Sequence, residues 1–250
     1  MVESLVQNKA KTVVLVPAGK EPETYQATPA QVAALSRAEL FFRTGIPVEE
    51  TLLPKLQSVN PHLRIIDLRE GLPLQKAELH HHEETAEPHE HSETDPHIWL
   101  SPALLKQQAA IMSNTLKTVF PDNAEFFQEN AAQLLGKIET LQSDLQKEME
   151  PKRGKTVFVF HPAYGYFCSE FGLVQSAIEF EGKPPTPQKI ASLVAEMKKT
   201  GNTPVIFVQP EFNQSPAKAV AEAAGGKLII HSPLEYDVLK SIRHFADSIP

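Results

Sequence analysis

At 250 residues, 41% of them hydrophobic and 22% charged, the chain is long enough for one large or two modest globular units, each with its own core. No run approaches the ~18 consecutive apolar residues of a membrane-spanning helix. A net charge of −7 argues against a nucleic-acid binder working through a broad basic face.

That charge has one source. Seven acids lie between Glu78 and Asp95 with no Lys or Arg among them, and without them the chain carries 24 acidic and 24 basic residues. Six of the ten histidines fall in the same neighbourhood, from His80 to His97. The lone Cys168 excludes an intrachain disulfide and any Cys-x-x-Cys motif. The start, MVESLVQNKAK, lacks the apolar core of a secretion signal, so the chain is expected to be cytosolic or a mature form with its signal removed.

In chain order, Thr12–Val16 reads as a buried strand followed by a Pro/Gly/Glu loop. Pro29–Ala38 has a helical pattern, Leu40–Phe42 is a short strand, Val48–Leu56 a helix and Leu63–Leu68 a strand. The tract from about residue 77 to 96 has no apolar period and reads as a mobile acidic loop. Ser101-Pro102 is a helix start, with Leu105, Ala109, Met112 and Leu116 on one face. Asp122 and Glu125 resemble a capping box ahead of Phe127, Ala131, Leu134, Ile138, Leu141 and Leu145, a helix running to about Met149. After Pro151 come strands at Thr156–Phe160, Val174–Ile178, Pro204–Val208 and Lys227–Ile230. Helices are expected near Pro162–Phe171, Pro187–Lys199, Pro216–Ala224 and Tyr236–Ser248, with Gly172, Gly201 and Gly225 as stops for the first three.

The pattern predicts an α/β protein of two lobes, each a parallel sheet flanked by helices. The divisions are an amino-terminal lobe over 1–120, a long connecting α-helix over 121–150 and a carboxyl-terminal lobe over 151–250.

Ligands of open parallel sheets bind beyond the carboxyl ends of the strands. Glu21 and Glu23 follow the first expected strand, His97 follows the acidic tract, His161 follows Thr156–Phe160, and His231 follows Lys227–Ile230. Glu23, His97, His161 and His231 are separated by 74, 64 and 70 residues, which rules out a local zinc-finger loop and places any metal in the cleft between lobes. Imidazoles with one or two carboxylates suit Zn²⁺, and a more oxygen-rich set suits Mn²⁺. Taken singly, a histidine at a strand end is more often a loop hydrogen-bonder than a ligand; four candidates at equivalent positions strengthen the metal reading. Trp99, Tyr164, Tyr166 and Phe167 read as core or cleft lining, and Cys168 as a small buried apolar residue. The histidines of the acidic loop read as a weak metal collector. No His-Glu-x-x-His and no Gly-x-Ser-x-Gly occurs, and Gly154-Lys155-Thr156 lacks the first glycine of a phosphate loop, with Met149 in its place.

At these residues the sequence resembles the metal-specific solute-binding proteins of zinc/manganese ABC importers, particularly the zinc-uptake branch. The likeness covers nearly the whole chain and rests on VVLVPAGKEPETYQATP from Val13, the His/acid-rich tract, DPHIWLSP from Asp95, HPAYGYF from His161, VIFVQPEF from Val205 and GGKLIIHSPL from Gly225. The resemblance implies a monomeric, extracytoplasmic binding protein, periplasmic or otherwise outside the membrane. It would carry Zn(II) as transported ligand to the membrane permease of an ABC importer, with no nucleic acid involved and no enzymatic activity. It also implies His97 and His161 as ligands, His161 marking the zinc type. Three departures stand out: Glu23 takes a position usually held by His, Ser232 one usually held by Asp, and the chain begins near the end of the family's first helix, so that either the sequence is truncated there or the amino-terminal sheet has lost its first strand. The fourth ligand is left open among His231, Glu21 and water. The other readings are a manganese-binding member, a metal buffer or adhesin without transport, and a zinc hydrolase using Glu21 or Glu211 as base.

Overall fold

Four-residue runs rich in β-branched and aromatic side chains form the strands, and helical segments return the chain between them. The computed structural model describes residues 1–22, 24–77, 94–179, 185–199, 201 and 203–250. Glu23 and the acidic tract over 78–93 lie outside the described residues, and so do the expectations placed on them. Packing divides the chain into two units, one of Met1–Pro73 and Pro102–Gln142, the other of Leu74–Ser101 and Ser143–Pro250.

In the first unit, α1 (Val2–Val6) and α2 (Pro29–Leu35) precede β1 (Leu40–Arg43), α3 (Pro47–Val59) and β2 (Arg64–Asp67). Thr28 caps α2 in a reciprocal box: its Oγ1 accepts from the Gln31 backbone N–H at 3.3 Å while Gln31 Oε1 accepts from the Thr28 N–H at 2.9 Å. β1 and β2 pair in parallel, and Leu35, Phe41, Leu52, Leu53, Leu56 and Leu63 form the core against them. The expected strand at Thr12–Val16 does not form. Among the described residues that segment has no pairing partner; Val13 and Val14 are exposed, and the Leu15 carbonyl accepts from the Gln31 side chain at 2.7 Å instead of from a ladder. At the strand ends, Glu49 accepts from the backbone N–H groups of Thr44 and Gly45 at 3.0 and 2.7 Å, and burial pushes its carboxyl above the ordinary range.

Two long helices follow, α4 (Pro102–Val119) and the 26-residue α5 (Ala124–Met149). Phe127, Ala131, Leu134, Ile138 and Leu145 of α5 are buried, as their spacing predicts, and α5 contributes residues to both units. Among the described residues no helix is long and apolar enough to cross a membrane.

The second unit holds β3 (Thr156–Val159), α6 (Gly165–Phe171), β4 (Val174–Ala177), α7 (Pro187–Lys199), β5 (Val205–Val208), α8 (Ser215–Ala224), β6 (Lys227–Ile230) and α9 (Val238–Ser248). Its sheet is entirely parallel in the order β4-β3-β5-β6. Alternation splits the strand residues between two faces. Phe158, Phe160, Ile206 and Val208 pack with Leu193 and Met197 of α7 and Ala217, Val220 and Ala221 of α8. Phe207 instead meets Phe245 of α9 at 4.7 Å between centroids, and Phe245 stacks on Tyr164 at 3.9 Å. Gly172 and Gly225 end α6 and α8 with φ of +68°, the left-handed cap that glycine adopts without strain.

The division expected at residue 120 assigns Leu74–Ser101 to the first lobe, whereas packing places it in the second unit. The cause is a set of polar ties. The Tyr166 hydroxyl donates to the Asp95 carbonyl at 2.9 Å and accepts from the Gln75 N–H at 3.1 Å. Trp99 Nε1 donates to the Pro233 carbonyl at 2.9 Å, and the Ser101 hydroxyl donates to Glu170.

Candidate metal centre

Running from β3 to β4 and then back across β3 to β5, the chain reverses its direction of travel through the sheet, which makes the carboxyl ends of β3 and β5 a switch point. His161 leaves β3 there. Its backbone is held by the Gln209 side chain at the end of β5, which accepts from the His161 N–H at 3.3 Å and donates to its carbonyl at 3.0 Å. Phe212, three residues on, stacks on the imidazole with centroids 5.1 Å apart and planes at 22°.

His97 reaches the same place from the Asp95-Pro96-His97 turn. Asp95 Oδ1 accepts from the His97 backbone N–H at 2.9 Å and from its Nδ1 at 2.7 Å. His161 Nδ1 donates likewise to Glu179 Oε1 at 2.6 Å, just beyond β4. Both carboxylates are buried. A carboxylate at Nδ1 fixes the proton on that nitrogen and leaves Nε2 as an acceptor. The two Nε2 atoms face one another at 3.3 Å, with ring centroids 5.1 Å apart.

With both Nε2 atoms as acceptors, the contact is repulsive until a proton or a metal cation lies between them. Tetrahedral Zn²⁺ with bonds of about 2.0–2.1 Å separates two nitrogen ligands by roughly 3.3–3.4 Å. The pair therefore matches one edge of a zinc tetrahedron, and the carboxylates behind each ring are the outer partners that orient metal-binding histidines and raise their basicity.

The other expected positions behave differently. His231 is buried with both ring nitrogens committed: Nε2 donates to the Ser241 carbonyl at 2.9 Å, and Nδ1 accepts from the Tyr164 hydroxyl at 2.7 Å. Burial lowers its pKa, which keeps the ring neutral, and the Tyr164 hydroxyl is pushed well above its usual range by the same desolvation. In this structure His231 is thus a buried hydrogen-bonder with both ring nitrogens engaged. Among the described residues, the trio with ligand atoms all within 4.8 Å of one another is His231, Glu235 and His244, but His231 has no nitrogen to offer it. Glu21 accepts from Thr24 Oγ1 at 3.1 Å. Ser232 donates to Glu211 Oε1 at 2.8 Å.

Asp95, Glu179 and Gln209 are the functional residues missed by reading ligands alone. Asp95 stood inside the quoted DPHIWLSP motif, whereas Glu179 is 18 residues from the ring it holds and carries no local signal.

Known proteins share this arrangement of sequence and fold. The family model described as zinc-uptake complex component A, periplasmic, matches residues 1–249. The zinc-binding protein AdcA of Streptococcus pyogenes is 28% identical over 93% of this chain and 48% of its own length, so the chain spans about half of that relative. The high-affinity zinc uptake system protein ZnuA of Yersinia pestis is 29% identical over 84% of this chain and 72% of that protein. A crystal structure of ZnuA superposes with a TM-score of 0.88 at 31% identity, covering 98% of this chain and 91% of the other. Matched over nearly its full length by sequence, and by a closely superposing structure, the chain belongs to the zinc-uptake complex component A family of solute-binding proteins.

Proposed function

We propose that this chain captures Zn²⁺ outside the cytoplasm as a monomer and delivers it to the membrane permease of an ABC importer. The observation that carries the reading is the pair of Nε2 atoms of His97 and His161 at 3.3 Å, each ring backed by a buried carboxylate. Zinc is cargo here, and capture followed by release calls for ligands without a catalytic apparatus. Nitrogen donors favour Zn²⁺ over Mn²⁺, which prefers oxygen and lies at the weak end of the divalent series. The names of the relatives, zinc-binding and zinc uptake, support the same choice.

Calorimetric titration of the metal-stripped chain at pH 7 tests the proposal. One tight zinc site is expected, with manganese at least about a hundredfold weaker. Equal affinity for manganese would overturn the choice of metal, and the lack of any tight site would overturn capture.

The carboxylate behind His97 offers a second check. Gly165 opens α6, and a Cβ placed on it would lie 2.9 Å from Asp95 Oδ2, closer than real contacts allow. Gly165→Ala should displace that carboxylate and weaken zinc binding by about 10–100-fold, the usual scale for outer-shell changes, with the circular dichroism spectrum unchanged. Unaltered affinity would show that Asp95 does not set the orientation of His97.

A further inference from the structure

We propose that Glu211 completes the zinc site, its carboxylate swinging from Ser232 onto the ion held by His97 and His161. The inference deepens the preceding reading and rests on it. Among the described residues, two neutral imidazoles leave Zn²⁺ short of both donors and negative charge, since its protein sites take three or four ligands.

Among the described residues, three buried side-chain atoms have no hydrogen-bond partner: Arg43 Nε, Glu179 Oε2 and Glu211 Oε2. Arg43 is a cation of the first unit, paired with Glu49 and Asp67. Glu179 holds Nδ1 of His161, and the two nitrogens of an imidazole direct their bonds away from one another, so this carboxylate stays behind the ring. Glu211 remains. An acceptor held out of water without a donor is costly, and a cation is what it lacks.

Its place in the chain fits. Gln209 holds the backbone of His161, Phe212 stacks on the His161 ring, and the Phe212 N–H donates to the Gln209 carbonyl at 3.2 Å, closing the turn that carries Glu211. Glu211 therefore stands on the β5 side of the switch point, between two residues that touch the ligand on the β3 side. Its other oxygen is parked. Oε1 accepts from Ser232 Oγ at 2.8 Å, and that hydroxyl is itself oriented by the Leu234 N–H at 3.2 Å. Glu211 is not part of a preformed trio with both imidazoles within 4.8 Å, so its approach is a side-chain rotation that exchanges the Ser232 hydroxyl for the metal.

The test compares the metal-stripped full chain with Glu211→Gln, Ser232→Ala and His97→Ala. Each is titrated with zinc against a competing chelator and examined by visible absorption with Co²⁺ as a spectroscopic substitute. Glu211→Gln keeps the shape and the acceptor for Ser232, so one ion should still bind, at least about tenfold more weakly, with an altered Co²⁺ spectrum. Ser232→Ala removes the competing partner, and zinc should bind several-fold more tightly. A Glu211→Gln protein with an unchanged Co²⁺ spectrum, whatever its affinity, would overturn the ligand role. If His97→Ala leaves zinc binding as it was, the two-histidine site itself fails, which separates that failure from this one.

Discussion

Replacing His97 by alanine is expected to abolish tight zinc binding, lowering affinity by about 100–1,000-fold, with the fold intact. Structural zinc sites are worth roughly 10–16 kcal/mol shared over about four ligands, so one imidazole accounts for about 2.5–4 kcal/mol. The loss falls on the metal and not on the core, because the His97 side chain serves the site while the neighbouring Ile98 and Leu100 are the buried anchors of the segment. Deleting the acidic tract from Leu79 to Glu93 should instead remove only weaker sites. Competition titration with a chelator of known affinity reads both. Retention of the tight site in His97→Ala, or its loss in the deletion, would reverse the division of labour between the histidine pair and the tract.

His231→Ala should do the opposite. Zinc affinity is expected to stay within about threefold of the parent, whereas stability of the metal-free protein falls by about 2–4 kcal/mol, because the change opens a cavity and strips partners from buried polar groups. The Tyr164 hydroxyl loses its 2.7 Å acceptor and the Ser241 carbonyl its 2.9 Å donor. The same ring gives stability a pH dependence. Burial lowers the His231 pKa in the folded chain, while the unfolded chain takes up its proton near ~6.5. Its contribution is therefore full above about 6.5 and declines as pH falls from there towards the folded pKa. Urea unfolding at several pH values measures both effects. Unchanged stability together with lost zinc would return His231 to the ligand set.

His161 and His231 show where sequence reading reaches its limit. Each directly follows a strand of the same sheet, and by position they are equivalent. The difference lies in neighbours distant in sequence: Glu179 and Gln209 hold one ring with its Nε2 against that of His97, while Tyr164 and Ser241 consume both nitrogens of the other. The strands after Pro151 were legible because TVFV and VIFV are short apolar runs between helices stopped by glycines. Thr12–Val16 has the same composition yet stays irregular, since a strand exists only in its pairing and β1 and β2 pair with each other. The tie of Leu74–Ser101 to the second unit rests on Tyr166, Trp99 and Ser101, contacts that no periodicity announces.

The Gln209 amide has one more consequence. By accepting from the N–H of His161 and donating to its carbonyl, it stands in for a peptide group and extends the β3–β5 ladder by a rung made of a side chain. A rung of backbone is the same in every sequence, but this one can be rewritten by a single codon. Gln209→Glu would keep the shape and lose the donor; Gln209→Leu would lose both bonds. The stiffness with which the sheet moors His161 is thus a heritable variable, adjustable without touching the imidazole.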